Sequence, residues 1–177
     1  MKIFVIILGM LAAGISLASQ ASGKECALNK LPIRSTNPSL NKIYAGKVGS
    51  IEVRFHNENA PKPADIFPDP RVVVRNLTTA KSCYIKDGSG IWSGTAVYLD
   101  ANERVLVLNE FSGSSDLLVL YDPKTCRRLA ELDVSSRQWA VSADRIRTGQ
   151  DCHGDGVSSC RYIQEWMLDT HCMFKGE

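Results

Sequence analysis

The chain is poor in the groups that enzymes use. It holds three histidines in 177 residues, His56, His153 and His171, and they lie far apart in sequence. No serine sits in a G-x-S-x-G elbow, so the strand–turn–helix that exposes a serine nucleophile is not encoded. Ser112, Ser114 and Ser115 are clustered, but the cluster reads as a hairpin tip before it reads as a nucleophile. There is no C-x-x-C pair, which removes the common zinc-ribbon and thioredoxin-like spacings. A zinc site using His153 and His171 is the weaker reading of the cysteines. Runs of lysine or arginine are also missing. The formal charge is +2, from 21 basic and 19 acidic residues. Nucleic-acid or membrane-surface binding needs gathered positive charge, so neither partner is expected.

What is present begins with "MKIFVIILGMLAAGISLASQASG": one lysine, an apolar stretch broken by Gly9 and Gly14, then small residues. This is the pattern of a secretory signal peptide rather than a retained membrane span. Cleavage is expected after Ala21, giving a leader over 1–21. Lys24 and Glu25 precede Cys26, where a lipidation box needs small apolar residues, so no membrane anchor is expected. Residues 22–177 then make one exported domain of ordinary size. All six cysteines follow the leader: Cys26, Cys83, Cys126, Cys152, Cys160 and Cys172. An even count in an exported chain reads as disulfides, each contributing about 2–4 kcal/mol by restricting the unfolded chain. The sequence does not choose among the pairings. The short Cys152–Cys160 spacing suits a local bridge, and Cys26 with Cys172 would tie the termini and leave Cys83 with Cys126.

Apolar and polar residues alternate in "IEVRF" (51–55), the mark of a half-buried strand. "HNENAPKPADIFPDP" (56–70) follows, and its four prolines predict a long surface loop. "RVVVRN" (71–76) returns to strand composition. Strand-like runs then recur at 83–86, 95–99, 103–109, 116–121, 127–134, 138–142 and 145–148. The gaps between them are rich in Gly, Asp, Asn, Pro and Ser, which is turn chemistry. The expected fold is mainly β: an antiparallel meander with β-propeller-like blades packed face to face, since the chain is too short for a closed propeller. In "SSCRYIQEWMLDTHC" the residues Cys160, Ile163, Trp166 and Met167 fall on one helical face. The spacing predicts one C-terminal helix over about 158–170, capped by Ser158 or Ser159. The tryptophans Trp92, Trp139 and Trp166 are expected in the core.

Other motifs carry less. "DCHGDG" starts like an EF-hand loop, but the position that needs a bidentate glutamate is Tyr162. Asn76-Leu77-Thr78 matches a glycosylation acceptor by pattern alone. "NEFSGSSD" (109–116) is more specific. It joins "RVLVL" to "LLVLYD" with small polar residues around one glycine, as a loop of about four residues. Ser and Gly have little bulk, Gly113 permits φ > 0 at the bend, and hydroxyls both donate and accept. A thin polar tip on stiff strands can enter a narrow cleft at small entropic cost.

The stretch 90–152 resembles the periplasmic immunity proteins of type VI secretion, specifically those that neutralise a cysteine-dependent peptidoglycan amidase. "GIWS", "EFSGSS", "YD…TC" and "GQ.C" in this order carry the resemblance. It extends back through "DIFPDP" to the N-terminal cysteine, and all six cysteines fall on family positions. The resemblance implies an exported, propeller-like β domain without enzymatic activity or cofactor. It implies one partner, the cognate amidase toxin, in a 1:1 complex. It also implies that the 110–116 hairpin enters the toxin's active-site groove. By motif position Ser114 would hydrogen-bond the catalytic histidine, with Ser112 and Ser115 beside it and Glu110 and Phe111 at the rim. Asp116 departs from the family pattern, which has a small neutral residue there. A charge at the rim can reject a foreign toxin or pair with a basic group on the right one. A glycan- or protein-binding envelope module using Trp92 and the proline-rich loop is the alternative.

Overall fold

Strands buried on both faces read as nearly continuous apolar runs, and that is how "RVLVL" and "LLVLY" are placed. The computed structural model describes residues 25–69, 71–86, 88 and 90–175, so the expected leader over 1–21 lies outside the described residues. Three antiparallel sheets are layered. The central sheet has the order β1 (Leu28–Lys30), β8 (Ile91–Asp100), β9 (Leu106–Ser112), β10 (Ser115–Tyr121) and β11 (Arg128–Asp133), with β5 (Ile66–Pro68) sharing the edge of β8. A five-stranded sheet runs β2 (Arg34–Ser35), β3 (Ile43–Val48), β4 (Ile51–His56), β6 (Val72–Asn76) and β7 (Ser82–Tyr84). The third sheet contains β12 (Gln138–Ser142), β13 (Arg145–Cys152) and β14 (Cys160–Met167).

Side chains alternate across a strand, so β9 and β10 feed two cores. Leu106, Leu108, Val119 and Tyr121 pack with Tyr44, Phe55 and Val72 of the five-stranded sheet. Val107, Leu118 and Leu120 pack with Ile146, Trp139 and Trp166 of the three-stranded sheet. Burying each such aliphatic side chain stabilises the fold by about 1.5–3 kcal/mol. Trp92 is buried in the first core, and its ring stacks at 6.3 Å on that of Tyr121. Trp139 and Trp166 are half-buried against the second.

The disulfides follow the layers. Cys83–Cys126 joins β7 to the turn after β10, Cys26–Cys172 joins the entry to β1 with the segment after β14, and Cys152–Cys160 links β13 to β14. No free cysteine remains among the described residues, which removes the zinc reading. The one histidine-, cysteine- and acid-rich cluster among them, Cys26, Asp100 and Cys172, has its sulfurs in a disulfide. The "YD…TC" stretch is a side-chain-closed turn: Asp122 accepts from the Lys124 amide at 2.8 Å and the Thr125 hydroxyl at 2.8 Å. Glu103, in the turn between β8 and β9, accepts from the Ser50 amide and hydroxyl at 2.5 Å each, clamping the central sheet to the β3–β4 turn.

Four expectations are corrected. There is no C-terminal helix over 158–170. A three-residue 3-10 turn, Val157–Ser159, leads into β14. The Cys152–Cys160 bridge sets two backbones side by side, and the ladder then runs in register to Met167 opposite Arg145. Long-range pairing overrides the local helical period. The sheets do not form a propeller: one central sheet is sandwiched between two others, so the expected pair of blade-like sheets is replaced by three layers. The proline-rich stretch is not all loop. Ile66–Pro68 pairs with Ser93–Ile91, and Phe67 is buried on Phe55. Proline is tolerated there because the strand is an edge and Pro68 is its last residue. Finally, "DCHGDG", a turn that would feed the expected helix, leads instead into β14, with Cys152 paired with Cys160 and Asp151 at a left-handed φ of 55°.

Candidate functional site

The hairpin of β9 and β10 is tighter than its composition suggests. Ser112 pairs with Ser115, leaving Gly113 and Ser114 as a two-residue turn. Gly113 has φ 58°, and glycine at the first central position is the signature of the II′ hairpin family. The expected loop of about four residues is therefore corrected to two, Gly113-Ser114. Ser112, Gly113, Ser114 and Ser115 are all exposed. A Cβ placed on Gly113 would meet nothing within 4 Å. The tip stands clear of the rest of the molecule.

The stem below it is braced on both faces. On the five-stranded side, Glu110 is 4% exposed and accepts a hydrogen bond from the Tyr121 hydroxyl at 2.5 Å. On the other side, the buried Asn109 donates to the Asp116 carboxylate at 2.5 Å and to the Leu117 carbonyl at 3.2 Å. The Asp116 amide donates to the Ser135 hydroxyl at 2.9 Å, and the Val134 amide donates to the Asp116 carbonyl at 2.9 Å. Buried polar groups satisfied in this way fix one geometry. Gly90 presses against the same base: a Cβ there would lie 2.9 Å from the Phe111 carbonyl and 3.1 Å from Ser112 Cβ. Its amide and carbonyl are both bonded to Asp69. The end of the proline-rich stretch thus leans on the hairpin base.

These positions sort the seven hairpin residues. Ser112, Gly113, Ser114 and Ser115 form the tip. Phe111 and Asp116 are half-buried on one side, directly opposite each other in register. Glu110 is not at a rim; its carboxylate faces inward on Tyr121 and holds the stem. A hollow of about 90 Å³ lies beside the turn, between Phe111, Ser112, Ser115 and Arg128. The sequence reading missed Asn109, Tyr121 and Ser135, which position the stem, and Gly90, which packs its base. Asn109 carried a signal: one amide at the end of an apolar run must find a partner once the strand is buried.

No catalytic set assembles elsewhere among the described residues. His56 hydrogen-bonds Glu58 at 3.0 Å, and no histidine ring there hydrogen-bonds a serine hydroxyl. Trp92 is 2% exposed, so it cannot serve as an open glycan platform without unfolding the first core. Among the sequence-predicted sites, the serine turn is the one whose residues the structure leaves exposed together.

Comparison with known proteins places the chain in a family. A family model described as "Immune protein Tsi1" matches residues 26–172, from the first cysteine to the last. The curated "Immune protein Tsi1" of Pseudomonas aeruginosa (strain PAO1) is 38% identical over 162 residues, covering 90% of this chain and 92% of that one. With nearly the whole length matched on both sides, the chain belongs to the Tsi1 immune protein family.

Proposed function

We propose that this protein protects its producer against a type VI-delivered peptidoglycan amidase in the periplasm, by inserting the Ser112–Ser115 turn into the amidase's active-site groove. As a member of an immune-protein family, the chain acts by binding and is not an enzyme. The observation that carries the insertion reading is the tip itself: four small exposed residues, a glycine with open space around it, and a stem buried on both faces. Such a tip loses little conformational entropy on docking. It is also slender enough for a cleft shaped for an extended peptide stem.

Ser114, at the apex beside Gly113, is the hydroxyl best placed to meet a catalytic imidazole. Its contribution is bounded. One hydrogen bond supplies about 0.5–1.5 kcal/mol net, whereas nanomolar binding needs about −12 kcal/mol. The remainder must come from a surrounding contact of ordinary size, about 800 Å² on each partner. Phe111, Asp116, Asp69, Gly90 and Arg128 surround the turn and are the residues available for it. The turn decides where the inhibitor sits; its surroundings decide how tightly.

The test is co-expression, in the periplasm, of this protein with a peptidoglycan amidase effector, sought first in the neighbouring gene. Protection from lysis is expected, together with one-to-one co-elution of the purified pair. Lysis unchanged by the protein refutes the protective role. Protection that survives replacement of 112–115 by a bulky turn refutes the insertion.

A further inference from the structure

Positive charge that is scattered along the sequence is gathered by the fold. Residues opposite each other in a ladder point to the same side. The register therefore sets Arg34 and Ala45, Lys47 and Glu52, Arg54 and Val73, and Arg75 and Glu52 on the outer face of the five-stranded sheet. The inner face holds Tyr44, Val53, Phe55, Val72 and Val74, all buried. With Arg71 at the entry to β6, five cations face outward against the one carboxylate of Glu52 on these strands. The whole chain has a surplus of two.

Within this face lies a hollow of about 400 Å³, with Ile43, Val73 and Tyr84 as apolar wall and Arg54, Arg71 and Arg75 around it. Glu52 is committed to Arg54 at 2.8 Å. Arg71 lies over the Tyr84 ring, 4.5 Å from its centroid. Among the described residues neither Arg71 nor Arg75 has an acidic partner within ion-pair distance. Guanidinium groups held this way keep their fork free for a carboxylate, and stacking on an aromatic ring sets its plane.

We infer that this face is a second binding site, distinct from the hairpin tip, for an extended acidic segment of a protein partner. The spacing selects that ligand. Arg71 and Arg75 are four residues apart along one strand line, about 13 Å, and Arg54 sits opposite the position midway between them. An extended chain with acidic side chains at every second position repeats at about 7 Å on one face. Two such carboxylates, four residues apart, meet Arg71 and Arg75, and the one between them faces Arg54, whose Nε is already bonded to Glu52. The site is concave, so a bilayer cannot reach its floor. Its walls are aliphatic and aromatic, which suits the apolar edge of a peptide. Nothing in this inference depends on the hairpin mechanism.

The probe is a synthetic heptapeptide with glutamate at every second position and threonine between, titrated by calorimetry against the full-length mature protein. Parallel arms use the glutamine counterpart, inorganic phosphate, and vesicles rich in anionic lipid. Binding of the glutamate peptide is expected, weakening at least tenfold in Arg71→Gln/Arg75→Gln and also as salt rises. Both arginines lie on the outer surface, so an unchanged melting temperature will show that the variant is folded. Ser114→Trp should leave peptide binding intact. Equal binding of the glutamine peptide, undiminished binding by the double variant, loss in Ser114→Trp, or binding of phosphate or vesicles without the peptide would each overturn the assignment.

Discussion

Gly113→Ala isolates the backbone requirement of the tip. Gly113 sits at φ 58°, in the left-handed region, and a Cβ there would meet nothing within 4 Å. The cost therefore has no steric component from neighbours. It is the penalty for an L-residue in that region, about 1–2 kcal/mol. For a domain of this size 1 kcal/mol moves the melting temperature by about 2–4 °C, so a fall of about 2–8 °C is expected. Gly113→Asn should recover part of it, because asparagine tolerates this region. Urea unfolding followed by tryptophan fluorescence gives the number, and the slope m should not change, since the surface buried is the same. Gly149→Ala is the contrast. There a Cβ would lie 2.4 Å from Cys160 Sγ, so strain of the overpacking kind, about 1–3 kcal/mol, adds to any backbone effect. On the proposed mechanism the ranking reverses for inhibition: Gly113→Ala, which deforms the tip, should weaken the effector complex more than Gly149→Ala. A stability loss above about 3 kcal/mol for Gly113→Ala, or a changed m, would show that the turn is packed rather than free. No loss at all would show that the turn does not require its positive φ.

Ser114→Ala should weaken effector binding by about 2–13-fold, the worth of one hydrogen bond. Ser114→Trp, by overfilling the groove, should cost about 1–3 kcal/mol, up to roughly a hundredfold; both are read by calorimetry. Removing the disulfides pairwise by Cys→Ala should cost most for Cys26–Cys172, less for Cys83–Cys126 and least for Cys152–Cys160. Their sequence separations of 146, 43 and 8 correspond to about 5, 4 and 2.5 kcal/mol by loop entropy; urea midpoints check the order. Acid should destabilise the fold partly through Asp100. Burial alone would raise its pKa, but hydrogen bonds from Arg104, at 2.7 Å, and from the Ala27 amide, at 3.0 Å, outweigh that and hold it below the ordinary value. A pKa lowered in the folded state means that the contribution is complete above the unfolded value, near 4. It is lost as pH falls through the folded one. Asp100→Asn should therefore be less stable at pH 7 and lose less on acidification to about pH 2, with equal losses counting against the pairing.

Most of the strands were legible because each carries its own period and its own punctuation. "IEVRF" alternates cleanly because one face of β4 is buried and the other is wet. The apolar runs around β9 and β10 were legible as strands, but the reason for their continuity, a sheet covered on both faces, was not; one chain segment cannot say what lies above and below it. The C-terminal helix failed for the same reason. Cys160, Ile163, Trp166 and Met167 do fit a helical face, and only the cross-strand bridge to Cys152 decides against it. The short strands Leu28–Lys30, Arg34–Ser35 and Ile66–Pro68 have no period to detect. At the candidate site the tip residues were legible by size and polarity. Glu110 was misplaced to a rim because a carboxylate next to an exposed turn looks solvated; its partner Tyr121 lies eleven residues on, at the far end of the next strand. The basic face was invisible, since its cations come from four strands and from the entry to one of them.

The division between tip and stem bears on how specificity can arise. Ser112, Gly113, Ser114 and Ser115 carry two kinds of information only, small size and hydroxyl chemistry, and many clefts accept both. On the proposed mechanism the tip therefore aims the inhibitor without identifying the toxin. Identification has to come from groups that are larger or charged and set back from the apex. Phe111 and Asp116 stand there, opposite each other and half-buried. Asp116 is already held by Asn109, and its backbone by Ser135 and Val134, so its charge is fixed in place. A fixed charge discriminates better than a mobile one, because it cannot swing away from a like charge or towards a misplaced opposite one. The bracing of the stem thus fixes the charge at 116 as much as it fixes the serine turn.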